Sequence, residues 1–142
     1  MDKIMTQEQK DLLLKDLCAR LPYGVMAKFG DSNPSKITSI TQCIDSNSWF
    51  IESEGESDGM SCQIDNVKPY LFPLSSMTEE QKEELDKYFD MDTKSLLDGY
   101  KNGLRCPHTY FIVQDWYNKN HFDYRGLIPM GLANDATGKN IY

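Results

Sequence analysis

Long apolar runs are missing from this sequence: Leu12-Leu13-Leu14 typifies its apolar stretches, and a membrane-spanning helix needs ~20 consecutive apolar residues. The opening Met1–Gln7 has neither an apolar h-region nor a small-residue cleavage site, so no secretory signal is expected. None of the four cysteines, at 18, 43, 62 and 106, forms a C-x-x-C pair, and the two histidines, His108 and His121, are not spaced i, i+4. The usual zinc and dithiol signatures are therefore absent, and reduced cysteines acting as small buried hydrophobes are the expectation. Also missing are G-x-x-x-x-G-K-S/T, G-x-G-x-x-G, H-E-x-x-H and G-x-S-x-G. Those absences argue against the common nucleotide-binding, zinc-protease and hydrolase solutions, though not against every enzyme, and no cofactor or metal is implied.

What is present fits one ordinary domain spanning residues 1–142, soluble and cytoplasmic. Apolar residues make up 39% and charged residues 26%, a composition that can bury a core without disulfides or metal. The net charge of −7 is unevenly spread. Residues 1–44 carry six Lys/Arg against five Asp/Glu, residues 45–100 four against fourteen, and residues 101–142 five against three. An acidic middle segment repels phosphate backbones, so nucleic acid is disfavoured as a partner. It reads as a solvated face or as a surface for a basic protein. A weaker nucleic-acid reading would use Lys101, Arg105, Lys119, Arg125 and Lys139.

Local patterns give the fold class α+β. Thr6-Gln7-Glu8-Gln9 is a capping box, and Leu13, Leu14, Leu17, Cys18 and Leu21 recur at helical spacing, with Lys10, Asp11, Lys15 and Asp16 placed on the other face. Pro22 and Gly24 end this helix. Val25–Phe29, Ile37–Ile44, Trp49–Ser53 and Met60–Ile64 are short strand-like runs separated by turn-forming residues. They predict an antiparallel meander of three to five strands, with a bulge in Ile37–Ile44 where alternation breaks. Val67–Leu74 is expected to run extended because of Pro69 and Pro73. Two or three helices follow. Thr78-Glu79-Glu80-Gln81 repeats the capping box before a stripe of Leu85, Tyr88 and Phe89; Ser95-Leu96-Leu97 suggests a short helix; and Pro107 opens an apolar one containing Phe111, Ile112, Val113, Trp116 and Tyr117.

Three stretches carry a resemblance: 13–25 (LLKDLCARLPYGV), 67–78 (VKPYLFPLSSMT) and 121–128 (HFDYRGLI). Together they resemble a family of uncharacterised small proteins of Bacteroidales gut bacteria and their prophages. The resemblance implies a bacterial or phage cytoplasmic protein and no particular reaction. It gives the last ten residues no role, because Gly131–Gly138 departs from the family's usual ending.

The densest local mixture of acid–base, aromatic and cationic groups is His121-Phe122-Asp123-Tyr124-Arg125-Gly126. In extended chain, His121, Asp123 and Arg125 would share one side, where they could orient an imidazole and bind an anion. A purely structural alternative has Phe122 and Tyr124 in the core, Arg125 paired with the acidic middle segment and Gly126 in a turn. Cys106-Pro107-His108 could place a thiol at a helix N-terminus beside an imidazole. Trp49/Phe50, Tyr70/Phe72 and Trp116/Tyr117 are expected to be mostly core, with any exposed subset available to a protein partner. A non-enzymatic protein-interaction role leads; a small enzyme using His121, Asp123 and Arg125 is the alternative.

Overall fold

The computed structural model describes residues 5–44, 48–54, 61–87 and 108–142. The expected short helix at Ser95-Leu96-Leu97, Tyr88, Phe89, Lys101, Arg105, and Cys106 and Pro107 of the Cys106-Pro107-His108 group lie outside that description.

Helix α1 (Gln7–Arg20) begins where its sequence predicts. The Gln9 N–H donates to Thr6 Oγ1 at 3.1 Å and the Thr6 N–H to Gln9 Oε1 at 3.0 Å, so two otherwise orphaned donors are satisfied reciprocally. A 3-10 turn over Leu21–Tyr23 carries Pro22, and Gly24 follows at φ 73°, a left-handed conformation that favours glycine. The face that α1 buries differs from the leucine-and-cysteine stripe expected. Leu13, Asp16, Leu17 and Arg20 are buried, whereas Cys18 is exposed and Leu14 only partly covered. The spacing 13, 16, 17, 20 is a true helical stripe; the two charged residues ride on it because they neutralise each other.

The sheet has six strands in the order β4-β3-β2-β1-β5-β6. Strands β1 (Met26–Phe29), β2 (Ser35–Cys43), β3 (Ser48–Ser53) and β4 (Ser61–Gln63) form the antiparallel meander. The register shifts between Ile37 and Ser39, the bulge that broken alternation predicts. Val67–Leu71, expected only to be extended, is β5, an interior strand antiparallel to β1 on the side away from β2. The short β6 (Asn134–Asp135) lies parallel to β5, so the sheet is mixed and has one strand more than the meander reading allows. Pro69 is tolerated inside it because it falls opposite Ala27, between the ladder positions that bond β1.

One face of the sheet meets α1. Leu13 and Leu17 pack with Val25, Ala27, Phe29, Ile37, Ile51, Val67 and Leu71, all nearly or wholly buried. Burial of each leucine contributes about 1.5–3 kcal/mol. A second cluster joins Leu85 of helix α2, described over 79–87, to Val113 and Trp116 of α3 (His108–Lys119) and to Phe122. The α2 capping box forms as predicted: the Gln81 N–H donates to Thr78 Oγ1 at 3.2 Å and the Thr78 N–H to Gln81 Oε1 at 2.9 Å. Cysteines depart from expectation among the described residues: Cys18 is exposed, and Cys43 and Cys62 are half-buried. Of the aromatic pairs, Tyr70 and Trp116 are buried, while Trp49, Phe50, Phe72 and Tyr117 are half-buried. No described helix is long and apolar enough to cross a membrane.

Residue 142 completes the sheet. The β1–β5 register, continued one step past Ala27↔Pro69, sets Met26 opposite Tyr70. The Tyr142 hydroxyl stands between them, accepting from the Met26 N–H at 2.9 Å and donating to the Tyr70 carbonyl at 2.6 Å. A side chain thus replaces a ladder hydrogen bond, and burial pushes the Tyr142 phenol well above its ordinary pKa. The last ten residues therefore have a structural role that the resemblance did not give them.

Candidate functional site

Segment 121–126 is positioned by the end of α3. The His121 N–H donates to the Asn118 carbonyl at 3.3 Å and the Phe122 N–H to the Tyr117 carbonyl at 2.9 Å, the paired bonds of a Schellman motif. Its left-handed residue is His121, at φ 62°, where glycine is usual. The apolar contact that accompanies the motif is also present, with the Phe122 ring stacked on Trp116 at 5.6 Å and 9°. The chain then runs briefly beside Phe72, whose N–H donates to the His121 carbonyl and whose carbonyl accepts from the Asp123 N–H, both at 2.8 Å.

This local geometry undoes the shared face expected for His121, Asp123 and Arg125, because the left-handed turn at His121 breaks the alternation of extended chain. The His121 imidazole stacks on Tyr142 at 3.7 Å and 11°, with its Nδ1 buried and unpartnered. Desolvation, reinforced by the nearby Arg20 charge, lowers its pKa to about 4. The ring is therefore neutral at pH 7 and supplies neither a proton nor a positive charge there. Asp123 is buried, and its two oxygens accept from the Leu127 N–H at 2.8 Å and the Ile128 N–H at 2.9 Å. Its carboxylate closes the following turn. Gly126, at φ 77°, makes that turn, as the structural alternative had it.

Among the described residues, Arg125 pairs with α1 and not with the acidic middle segment. Its Nε lies 3.4 Å from Asp16 Oδ1 in α1. Asp16 Oδ2 accepts from Arg20 Nε at 2.8 Å, with both side chains wholly buried. Arg20 Nη2 in turn donates to the Phe122 carbonyl at 2.6 Å. The Tyr124 ring lies within 4.6 Å of the Arg125 guanidinium carbon and 5.4 Å of that of Arg20, and stacks on Tyr117 at 5.4 Å. One carboxylate thus holds two guanidinium groups at the joint between α1 and the segment after α3. Burial pushes the Asp16 carboxyl up, and both arginines pull it back.

Asp16 and Arg20 are the residues that sequence reasoning missed. Their signal was available: positions 16 and 20 fall at i+3 and i+7 from Leu13, on the buried stripe. Chemically, the cluster joins three parts of the chain. Two arginines share one aspartate, the second aspartate is occupied by backbone donors, and the imidazole is neutral and covered. Of the five cations offered for nucleic acid, Arg125 sits in this joint, Lys139 lies 5.8 Å over the Tyr70 ring and Lys119 is exposed on α3. No group of three or more His, Cys, Asp or Glu side chains that could hold a metal occurs among the described residues.

Outside this joint, α2 exposes Glu79, Glu80, Glu83, Glu84 and Asp86. A cleft of about 270 Å³ lies next to it, lined by Glu84, Asp115, Trp116, Lys119 and Tyr23 among others. A larger groove of about 880 Å³ lies between the start of α1, the β1–β2 turn, β5 and residues 129–134. No family model, curated protein or solved structure matches this chain.

Proposed function

We propose that this protein acts by binding another protein rather than by catalysis, and that the exposed acidic face of α2 is its contact surface. One observation carries the reading: over 79–87 only Leu85 is buried, while five carboxylates stand in solvent. The Lys82–Glu79 pair at 3.3 Å is itself highly exposed and neutralises little of this charge. The cleft beside α2 has carboxylates at Glu84 and Asp115, which outnumber the single Lys119 ammonium, and the exposed Tyr23 ring, which suits the aliphatic stem and cationic head of a lysine or arginine. The partner is therefore a protein with a basic surface, met in the cytoplasm. An enzyme built on His121, Asp123 and Arg125 is disfavoured because those side chains serve a stack, a turn and an ion pair.

The test compares the native chain with a Glu79→Gln, Glu80→Gln, Glu83→Gln, Glu84→Gln variant as baits at low and high salt. A partner held by the native chain at low salt, lost from the variant and released as salt rises, supports the reading. Retention of the same partner by the variant, or no partner at low salt, overturns it.

A further inference from the structure

We propose that the large groove beside β5 is an anion-binding site, in which Lys28 and Lys68 hold a phosphate or carboxylate group of a small polar ligand. The register carries the argument. Lys28 of β1 and Lys68 of β5 are direct cross-strand partners, and residues paired in this way project from the same face of a sheet. Like charges in that arrangement repel and weaken the ladder. Neither ammonium has a carboxylate partner among the described residues, although Asp31 and Asp65 line the same groove. Two cations are therefore kept side by side, half-buried at Lys28 and exposed at Lys68, in a chain whose net charge is −7. Both lysines alternate with the buried Ala27, Phe29 and Val67, so they stand on the face turned away from the α1 core.

The surroundings fit a ligand and not merely a counterion. The groove's volume of about 880 Å³ falls within the range of small-molecule sites. Asn66 and Asn134 line it with side-chain amides that have no protein partner among the described residues, adding donors and acceptors for hydroxyl or carbonyl groups. Asp31 and Asp65 place acceptors at the border, where they would take hydroxyl protons and repel a second anionic group. The ligand class is accordingly a small molecule with one anionic group and several hydroxyl or amide groups. This site is separate from the α2 surface and stands or falls without it.

The test is a titration of the full chain with inorganic phosphate and, separately, acetate, followed by backbone amide resonances. Saturable shifts at Lys28, Gly30 and Lys68 are expected, and the tighter of the two probes identifies phosphate or carboxylate as the preferred group. Lys28→Gln and Lys68→Gln should each weaken binding about tenfold, the worth of a hydrogen bond to a charged group. Both variants should remain folded, as seen in unchanged β2 and β3 resonances. Asp65→Asn should strengthen binding. Shifts reproduced by sodium chloride at equal ionic strength, equal affinity in the lysine variants, or no saturation by about 10 mM probe would overturn the proposal.

Discussion

Charge is handled in opposite ways at the two ends of the β1–β5 pair. Near the top, the buried Asp16 and Arg20 and the half-buried Arg125 share one carboxylate between two guanidinium groups, and Arg20 also donates to the Phe122 carbonyl. Near the bottom, Lys28 and Lys68 face the same groove as unpaired like charges. The first arrangement gives the fold a joint whose partners are all within the chain. The second leaves electrostatic demand unmet, which a ligand can satisfy. The difference teaches that charge at a site is informative only after its partners are counted: the segment richest in ionisable groups is structural, and the plainer lysine pair is open.

Asp16→Ala breaks the comparison most severely. It strands two arginines, one of them fully buried, and should cost about 3–5 kcal/mol in denaturant unfolding. A loss below about 1 kcal/mol would mean that the cluster is solvated and the contrast is lost. Asp123→Ala comes next, because it leaves the Leu127 and Ile128 N–H groups without acceptors in a buried turn. About 2–3 kcal/mol is expected, with hydrogen exchange rising first at those two amides.

A smaller effect comes from pH. The folded-state pKa of His121, about 4, lies below the ordinary 6.5, so the unfolded chain takes up the proton first. Its contribution is complete above about pH 6.5 and is lost as pH falls towards 4, by roughly 1–2 kcal/mol after allowance for solvent screening. Asp16, pushed up by burial, gives a slope of the opposite sign at acid pH. The difference in unfolding free energy between the native chain and His121→Gln across pH 7 to 4 isolates the histidine, and a flat difference curve would reject the assignment. Smallest is Lys68→Gln, which relieves like-charge repulsion and should stabilise the unliganded protein by a few tenths of a kcal/mol. A clear destabilisation would show that the lysine pair already has a stabilising partner within the chain.

Local chemistry made much of the fold legible. Both capping boxes, the Pro22–Gly24 stop, the meander and the bulge near Ile37 follow from residues a few positions apart. The position of β5 did not, since Val67–Leu71 could have paired anywhere until α1 covered one face of β1. The site was misread for a related reason. Alternation was assumed through His121, but the Schellman end of α3 forces a left-handed residue there, and no local rule favours histidine over glycine at that position. Asp16 escaped because charge was taken as the mark of a solvent face, although its spacing from Leu13 and Leu17 put it on the buried one.

The hydroxyl bridge of Tyr142 has a kinetic consequence. It joins residues 116 and 72 positions away in the chain. Closing loops of that length is entropically expensive, so such contacts form late, after the meander and the α1 core have condensed. Removing the hydroxyl with Tyr142→Phe should accordingly leave the refolding rate nearly unchanged and speed unfolding severalfold in stopped-flow measurements, the mark of an interaction absent from the transition state. Residue 142 would then govern how long the native state persists more than how quickly it is reached.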